Sequence, residues 1–213
     1  MTVRMRPAIL LLSISLIIST LNACVSLNKA KPNVAIYDFG LSVPSEGNQL
    51  ESNQRESNQQ LTLKILLDEP VAAESLNHNK IRYRLNYQNP LRVFYYSESR
   101  WAAKPSELFS SRLSQMVNLP KNPTNCSLKL KIEAFDHVFQ TAATSDGIVQ
   151  LSALVVEKKS KKIISSQLIT ESVTSTSSNV QGGTAALQQA SENALKKVIN
   201  WGNMMADDSE LCQ

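Results

Sequence analysis

Reactive side chains are scarce in this chain, which has two histidines, three cysteines and six glycines in 213 residues. His78 and His137 each stand outside any HxxxH or CxxC spacing that would hold zinc, so no metal site is expected. No G-x-S-x-G elbow occurs, and Gly182-Gly183 is too short to cradle a phosphate with its backbone. Asp136 and His137 are neighbours, but adjacent strand residues face opposite ways, so they cannot both serve one distant serine. Paired carboxylates such as Asp68-Glu69 flank a turn and read as solvated. These absences argue against an enzyme, and no cofactor is expected. A strong charge imbalance is missing too. The formal net charge of +4 is partly carried by Arg4 and Arg6, and residues from 24 onward hold 20 basic against 18 acidic side chains. Nothing in that balance points to nucleic acid.

The first residues carry the clearest signal. Arg4 and Arg6 form a short basic start, and an uncharged apolar run from Ala8 to Leu21 follows. The run is short for a bilayer span, which takes roughly 20 apolar residues, and it has the form of a secretory signal peptide. It ends in Leu21-Asn22-Ala23-Cys24, which resembles the bacterial lipobox, with Cys24 as the lipidated residue. Asn22 is bulkier than the residue usual there. The alternatives are an ordinary leader cut near Ala23 and an uncleaved anchor. On the lipoprotein reading, residues 1–23 are removed, and several acyl chains on Cys24 anchor the chain at about 0.8 kcal/mol per buried CH₂. Residues 24–32 are then a lipidated tether. Cys126 and Cys212 remain as an even pair in an oxidising compartment, either bonded to each other or left as one buried and one exposed thiol.

Residues 33–206 read as one α+β domain. Asn33 to Phe39 is a short apolar strand. Residues 40–60 are polar and nearly repeat (Glu51-Ser52-Asn53-Gln54, then Glu56-Ser57-Asn58-Gln59), with too little apolar surface to offset the entropy of ordering them. Leu61 to Leu67 is a second strand. Ile81, Tyr83, Leu85 and Tyr87 then alternate with Arg82, Arg84 and Asn86, the period of a half-buried strand. Asn89-Pro90 turns it into a hairpin with a strand over Leu91 to Tyr96. Pro105 starts a helix whose apolar stripe is Leu108, Phe109, Leu113, Met116 and Val117. Leu128, Leu130, Ile132 and Ala134 form the inward face of the next strand, and Val149, Leu151, Ala153 and Val155 that of its neighbour. Lys158-Lys159-Ser160-Lys161-Lys162 is a solvated hairpin tip rather than a lipid-headgroup contact, and Ile163 to Thr174 returns from it. A long helix is expected from about Thr184 to Met205, with Gly182-Gly183 relaxing the chain before it. Asp207-Asp208 lies past its end, where negative charge opposes the helix dipole, so residues 207–213 are expected to fray. The fold class is therefore a mainly antiparallel sheet of about seven strands with two amphipathic helices packed on one face.

One region is dense in aromatics and arginines: Tyr83, Tyr87, Phe94, Tyr95, Tyr96 and Trp101, interleaved with Arg82, Arg84, Arg92 and Arg100. That mixture is typical of interface hot spots, though core packing explains aromatics in strands equally well. The run Ile81-Arg82-Tyr83-Arg84-Leu85, then Phe94-Tyr95-Tyr96, Arg100-Trp101, Pro105-Ser106-Glu107-Leu108 and Arg112-Leu113 is similar to the ABC-type transport auxiliary lipoprotein family. In that family a "YR" strand leads to an aromatic strand, an "RW" pair and a "P-ELL…L" helix, and the order of the later elements also fits. The resemblance implies an accessory lipoprotein of an MCE-type lipid or solvent transport system. Its partners would be the MCE-domain substrate-binding protein and the ABC permease, with assembly into a homo-oligomer open. It also implies that Tyr83, Tyr95, Arg100 and Trp101 form a packing or partner surface. The polar stretch at 40–60 favours docking over direct carriage of a lipid chain. Val25 and Ser26 lack the Asp after the lipidated Cys that resembles an inner-membrane retention signal, which favours the periplasmic face of the outer membrane.

Two other classes compete. A structural or regulatory lipoprotein that activates a cell-envelope enzyme would need a long tether. Residues 25–32 reach less than about 30 Å at about 3.3 Å each. A periplasmic hydrolase would need His137 buried beside a carboxylate and a hydroxyl.

Overall fold

The computed structural model describes residues 33–40, 60–121 and 124–212. The leader, Cys24, the tether and almost all of the polar 40–60 stretch lie outside the described residues.

The organising element is the 14-residue strand β8 (Cys126–Phe139). Along one side it pairs antiparallel with β9 (Ser145–Glu157), which pairs antiparallel with β10 (Ile163–Thr174). Its other side is shared in succession by three parallel partners. β3 (Leu66–Leu67) meets Ser127 and Leu128, β4 (Val71–Ala72) meets Lys131 and Ile132, and β5 (Lys80–Leu85) meets Asp136 through Phe139. β5 turns back antiparallel into β6 (Phe94–Trp101), and β1 (Ala35–Tyr37) closes that side in parallel with β6. The result is an eight-stranded sheet ordered β1-β6-β5-β8-β9-β10, with a separate two-stranded pair of β2 (Leu61–Thr62) and β7 (Val117–Asn118). The longest pairings are antiparallel, as the hairpin spacing predicts.

The single expected strand over Leu61 to Leu67 is broken into β2 and β3. Leu63 and Ile65 between them are buried. Asn203 bridges the break, accepting from the Lys64 backbone N–H (2.8 Å) and donating to the Thr62 carbonyl (2.8 Å). The first hairpin is also shorter than its apolar alternation suggests. The N–H groups of Gln88 and Asn89 both bond the Leu85 carbonyl, so the chain turns there and Tyr87 faces solvent.

Helix α1 (Pro105–Met116) has Pro at its first position, where a missing N–H costs no helical bond, and buries Leu108, Phe109 and Leu113. Helix α2 (Val180–Asp208) buries Leu187, Ala190, Ala194, Leu195 and Val198. Both helices feed one core cluster against the same face of the sheet, and Arg112 of α1 is ion-paired with Glu192 of α2. α2 begins four residues before Thr184. Asn179 caps it, its side chain accepting from the Gly182 N–H. Gly182 and Gly183 therefore lie inside the first turn rather than before it, and close approach is the reason. A Cβ on Gly183 would sit 2.2 Å from His137 Nδ1, and one on Gly182 would sit 2.2 Å from the Ser177 carbonyl oxygen.

The C-terminal residues correct a second expectation. α2 continues through Asp207 and Asp208, with Asp207 paired to Lys64, and a 3₁₀ turn follows over Glu210–Cys212. Cys212 is buried and bonded to Cys126, with Cα atoms 5.0 Å apart. A covalent link to the start of the central strand holds the segment that dipole and composition alone would leave to fray. At the hairpin tip Glu157 accepts from the N–H groups of Lys159 (3.1 Å) and Ser160 (2.7 Å), with Lys159, Lys161 and Lys162 exposed and Lys158 half-buried.

Candidate functional site

The pleat of β5 and β6 divides the aromatic and basic residues between two environments. A bulge in β8 at Glu133 matters here, because one extra residue reverses the phase of everything beyond it. Before the bulge Leu128, Leu130 and Ile132 face the helices; after it Phe135 and His137 do, and Asp136 turns to the opposite face. Ala134, expected in the inward row, is only half-buried.

On the inner face Trp101 is 1 % exposed. It stacks on Phe135 at 5.0 Å and meets Phe39 edge-on at 6.0 Å, with Phe109 completing the nest. Trp101 is thus a core residue and not part of a surface. Tyr83 also belongs to the inner face. It stacks on Phe94 (5.1 Å) and contacts Tyr96 (4.7 Å) and Phe139 (6.0 Å). It is half-buried and acts as packing rather than as a free anchor.

This aromatic group encloses His137, which is 0 % exposed. Its Nδ1 lies 2.8 Å from the Tyr96 hydroxyl and its Nε2 3.4 Å from Ser175 Oγ, while Gly183 of α2 closes over the ring. Burial holds its pKa down, from 6.5 to about 4, against a weaker opposite pull from the Asp146 charge. Burial likewise pushes the Tyr96 phenol up. Two hydroxyls are therefore present beside the imidazole. The carboxylate a hydrolase would need is not, since Asp146 accepts from Thr174 (3.0 Å) and Gln140 (3.3 Å) and Asp136 is on the other face. The imidazole is thus enclosed, with the Tyr96 and Ser175 hydroxyls as its polar neighbours.

The outer face carries the cations. Asp136 is flanked by Arg82 and Arg84. Arg82 Nε lies 2.7 Å from Oδ1, too far off axis to be a hydrogen bond, while Nη2 reaches Oδ2 at 3.3 Å and Arg84 Nε reaches Oδ2 at 2.9 Å. Arg82 also donates to the Ser75 hydroxyl (3.2 Å) and Arg84 to the Pro90 carbonyl (3.1 Å). These pairs lock β5 to β8 and sequence reading had no means of matching them. Tyr95 is exposed on this face and Arg100 half-buried. Tyr95 is 42 % exposed, with the His78 ring edge-on at 5.2 Å and Lys80 Nζ 5.2 Å above its face. Arg100 sits opposite Lys80 across the strands and opposite Ile36 of β1. Of the four residues implied by the family resemblance, Trp101 is buried, Tyr83 is half-buried in the inner aromatic group, Arg100 is half-buried on the outer face, and Tyr95 is exposed there.

Two shallow grooves exist among the described residues. One of about 380 Å³ runs between α1 and the β3–β4 connection past Leu67, Pro70, Leu113 and Leu119. The other, of about 450 Å³, lies between β1 and the start of α2. Neither is lined by His137. No cluster of three metal-ligating side chains occurs among the described residues, and none of their helices is long and apolar enough to cross a membrane.

No protein-family model matches the chain, and no curated protein matches it. Solved structures do. A DUF330-family protein from Xanthomonas campestris superposes with a TM-score of 0.59 at 16 % identity, over 71 % of this chain and 90 % of that one. The two share a fold. A crystal structure of an uncharacterized protein gives a TM-score of 0.52 at 11 % identity, over 79 % of this chain and 99 % of that one. A lipoprotein from Neisseria meningitidis, GNA1162, is similar at 12 % identity over 64 % of this chain and 97 % of that one, but its TM-score of 0.27 is too low to carry an argument.

Proposed function

We propose that the chain is a membrane-anchored, non-catalytic docking component of an ABC-type (MCE-type) lipid or solvent transport system. It is held by a lipid on Cys24 at the periplasmic face of the outer membrane. The observation that carries the docking reading is strand β10. Among the described residues it forms the edge of the main sheet, pairing only with β9, and runs 12 residues, about 40 Å of backbone. Natural proteins blunt such an edge with Pro, Lys, inward charges or bulges. From Ile163 to Thr174 there is no Pro and no Lys, and the one register shift against β9 is confined to the start, between Ile163 and Ser165, which leaves regular pairing from Ser165 to Thr174. Its one charge, Glu171, is taken up by Lys197 of α2, and Leu168 is 60 % exposed. An edge of that length, left open, suits the addition of a strand from a partner. The enclosure of His137 supports a role without chemistry. The transport system itself rests on the resemblance around Tyr83, Arg100-Trp101 and Pro105, and the DUF330-family likeness supports the fold only.

The test is affinity purification of the lipidated protein from its own membranes, alongside the edge variant Leu168→Lys. Recovery of an MCE-domain protein or its permease with the native chain, and its loss with the variant, is the expected result. Recovery of a cell-wall synthase instead would favour a regulatory lipoprotein, and hydrolysis of a test ester would overturn the non-catalytic reading.

A further inference from the structure

The outer face at the β1–β6–β5 end of the sheet holds an arrangement that folding alone does not favour. Lys80 and Arg100 are direct cross-strand partners, and like charges in that position are destabilising. Neither has an ion pair among the described residues; Lys80 only rests over the Tyr95 ring. Beside them, opposite Arg100 on β1, Ile36 is 61 % exposed. Tyr95 and His78 complete the patch, and the nearby positive charges of Lys80 and Arg82 help hold the His78 pKa down after burial. Glu98, Glu74 and Asp38 are the acidic residues in this region, two positions before Arg100 on β6, in the turn before β5, and two positions after Ile36, where the Asp38 carboxylate accepts from the Gly40 N–H.

We infer that this face, Ile36 with Lys80, Tyr95 and Arg100, rests on the anionic phospholipid headgroups of the leaflet that holds the Cys24 lipid. The inference rests on the anchoring reading above and goes beyond it. Two arguments select a lipid surface. The residues combine unpaired cations with an exposed aliphatic chain and a tyrosine, the mixture that sits at a membrane–water interface. And β1 is the first described strand: from Cys24 to Ala35 the chain spans at most about 40 Å fully extended. The patch on β1 therefore stays within that reach of the bilayer. Cations act over about 8 Å at physiological salt, so close contact is needed for them to count.

The experiment uses the full chain purified with its lipid and reconstituted into vesicles of phosphatidylcholine alone or with about one third phosphatidylglycerol. Amide hydrogen exchange is followed over residues 34–38 and 94–101. Two cations at an anionic surface correspond to about 30-fold in occupancy, so exchange there is expected to slow at least about threefold in the anionic vesicles. The slowing should disappear in high salt and in the Lys80→Gln/Arg100→Gln variant, while β10 is unchanged. Equal exchange in the two vesicle types, or slowing that survives the double substitution, overturns the inference. Protection that appears only when transport proteins are added also overturns it and gives the face to a protein. Anchoring is judged separately by intact mass at Cys24 and by release of Cys24→Ser from membranes. If anchoring fails, the response of the patch to phosphatidylglycerol still decides the contact.

Discussion

Lowering the pH from 7.5 to 5.0 should weaken this protein through His137. In the folded chain the imidazole is enclosed by Tyr96, Phe139 and Gly183, and its pKa is held near 4 rather than 6.5. The unfolded chain therefore takes up a proton first. For a base whose folded pKa is depressed, the stabilisation is fully present above about pH 6.5 and is lost as pH falls toward 4. The complete window corresponds to a ceiling of about 3 kcal/mol. At pH 5.0, where the unfolded imidazole is nearly all charged and the folded one nearly all neutral, the difference is about 2 kcal/mol. Against a typical stability of about 5–15 kcal/mol that is large enough to see as a shifted urea midpoint. His78 is also held down and contributes in the same direction, so the control is His137→Gln, which retains polar contacts without titrating. The native chain should lose about 2 kcal/mol more than the variant over this range. Equal pH dependence in the two proteins, or an NMR titration of the His137 ring centred near 6.5, would refute the reasoning.

Two further perturbations test the frame around that site. The Cys126–Cys212 bond closes a loop with a sequence separation of 86; by chain entropy its removal through Cys126→Ala/Cys212→Ala should cost about 4–5 kcal/mol, read from urea midpoints, and an unchanged midpoint would mean the tail is held without it. Gly183→Ala places a methyl within 2.2 Å of His137 and should destabilise by about 1–3 kcal/mol despite the better helix propensity. Gly202→Ala in the same helix, where the nearest atom is Leu128 Cδ2 at 3.3 Å, should stay within about 1 kcal/mol of the native chain; equal losses at the two glycines would argue against the close approach of α2 to His137.

The elements that declare themselves in the sequence are those whose period continues unbroken. Val149, Leu151, Ala153 and Val155 form the buried row of β9, and Leu187, Ala190, Ala194 and Val198 the buried stripe of α2. Features that depend on a distant partner do not. The break between β2 and β3 is stabilised by Asn203, far along the chain, and the tail is held by Cys126, for which an even cysteine count was only a hint. The bulge at Glu133 did leave a trace. Unbroken alternation from Leu128 would bring Asp136 to the inward face, and a carboxylate there is costly enough that a change of phase is the cheaper arrangement.

The aromatic and arginine density of β5 and β6 shows how a period of two can merge independent signals. Along the chain the residues look like one hot spot. In space the positions part company, with a register shift in the β5–β6 pairing reversing the phase within β6: Tyr83, Phe94, Tyr96 and Trp101 face the helices, while Arg82, Arg84, Tyr95 and Arg100 face away. The inner set is satisfied by its own stacking around Phe135 and His137. Half of the outer set is satisfied by Asp136. What remains after both subtractions is Tyr95 and Arg100, joined by Lys80 from the start of β5 and by Ile36 from β1, a strand with no basic residue. A surface defined by what folding leaves unpaired draws on strands that are separated in sequence. Their pairing must therefore be known before its members can be named.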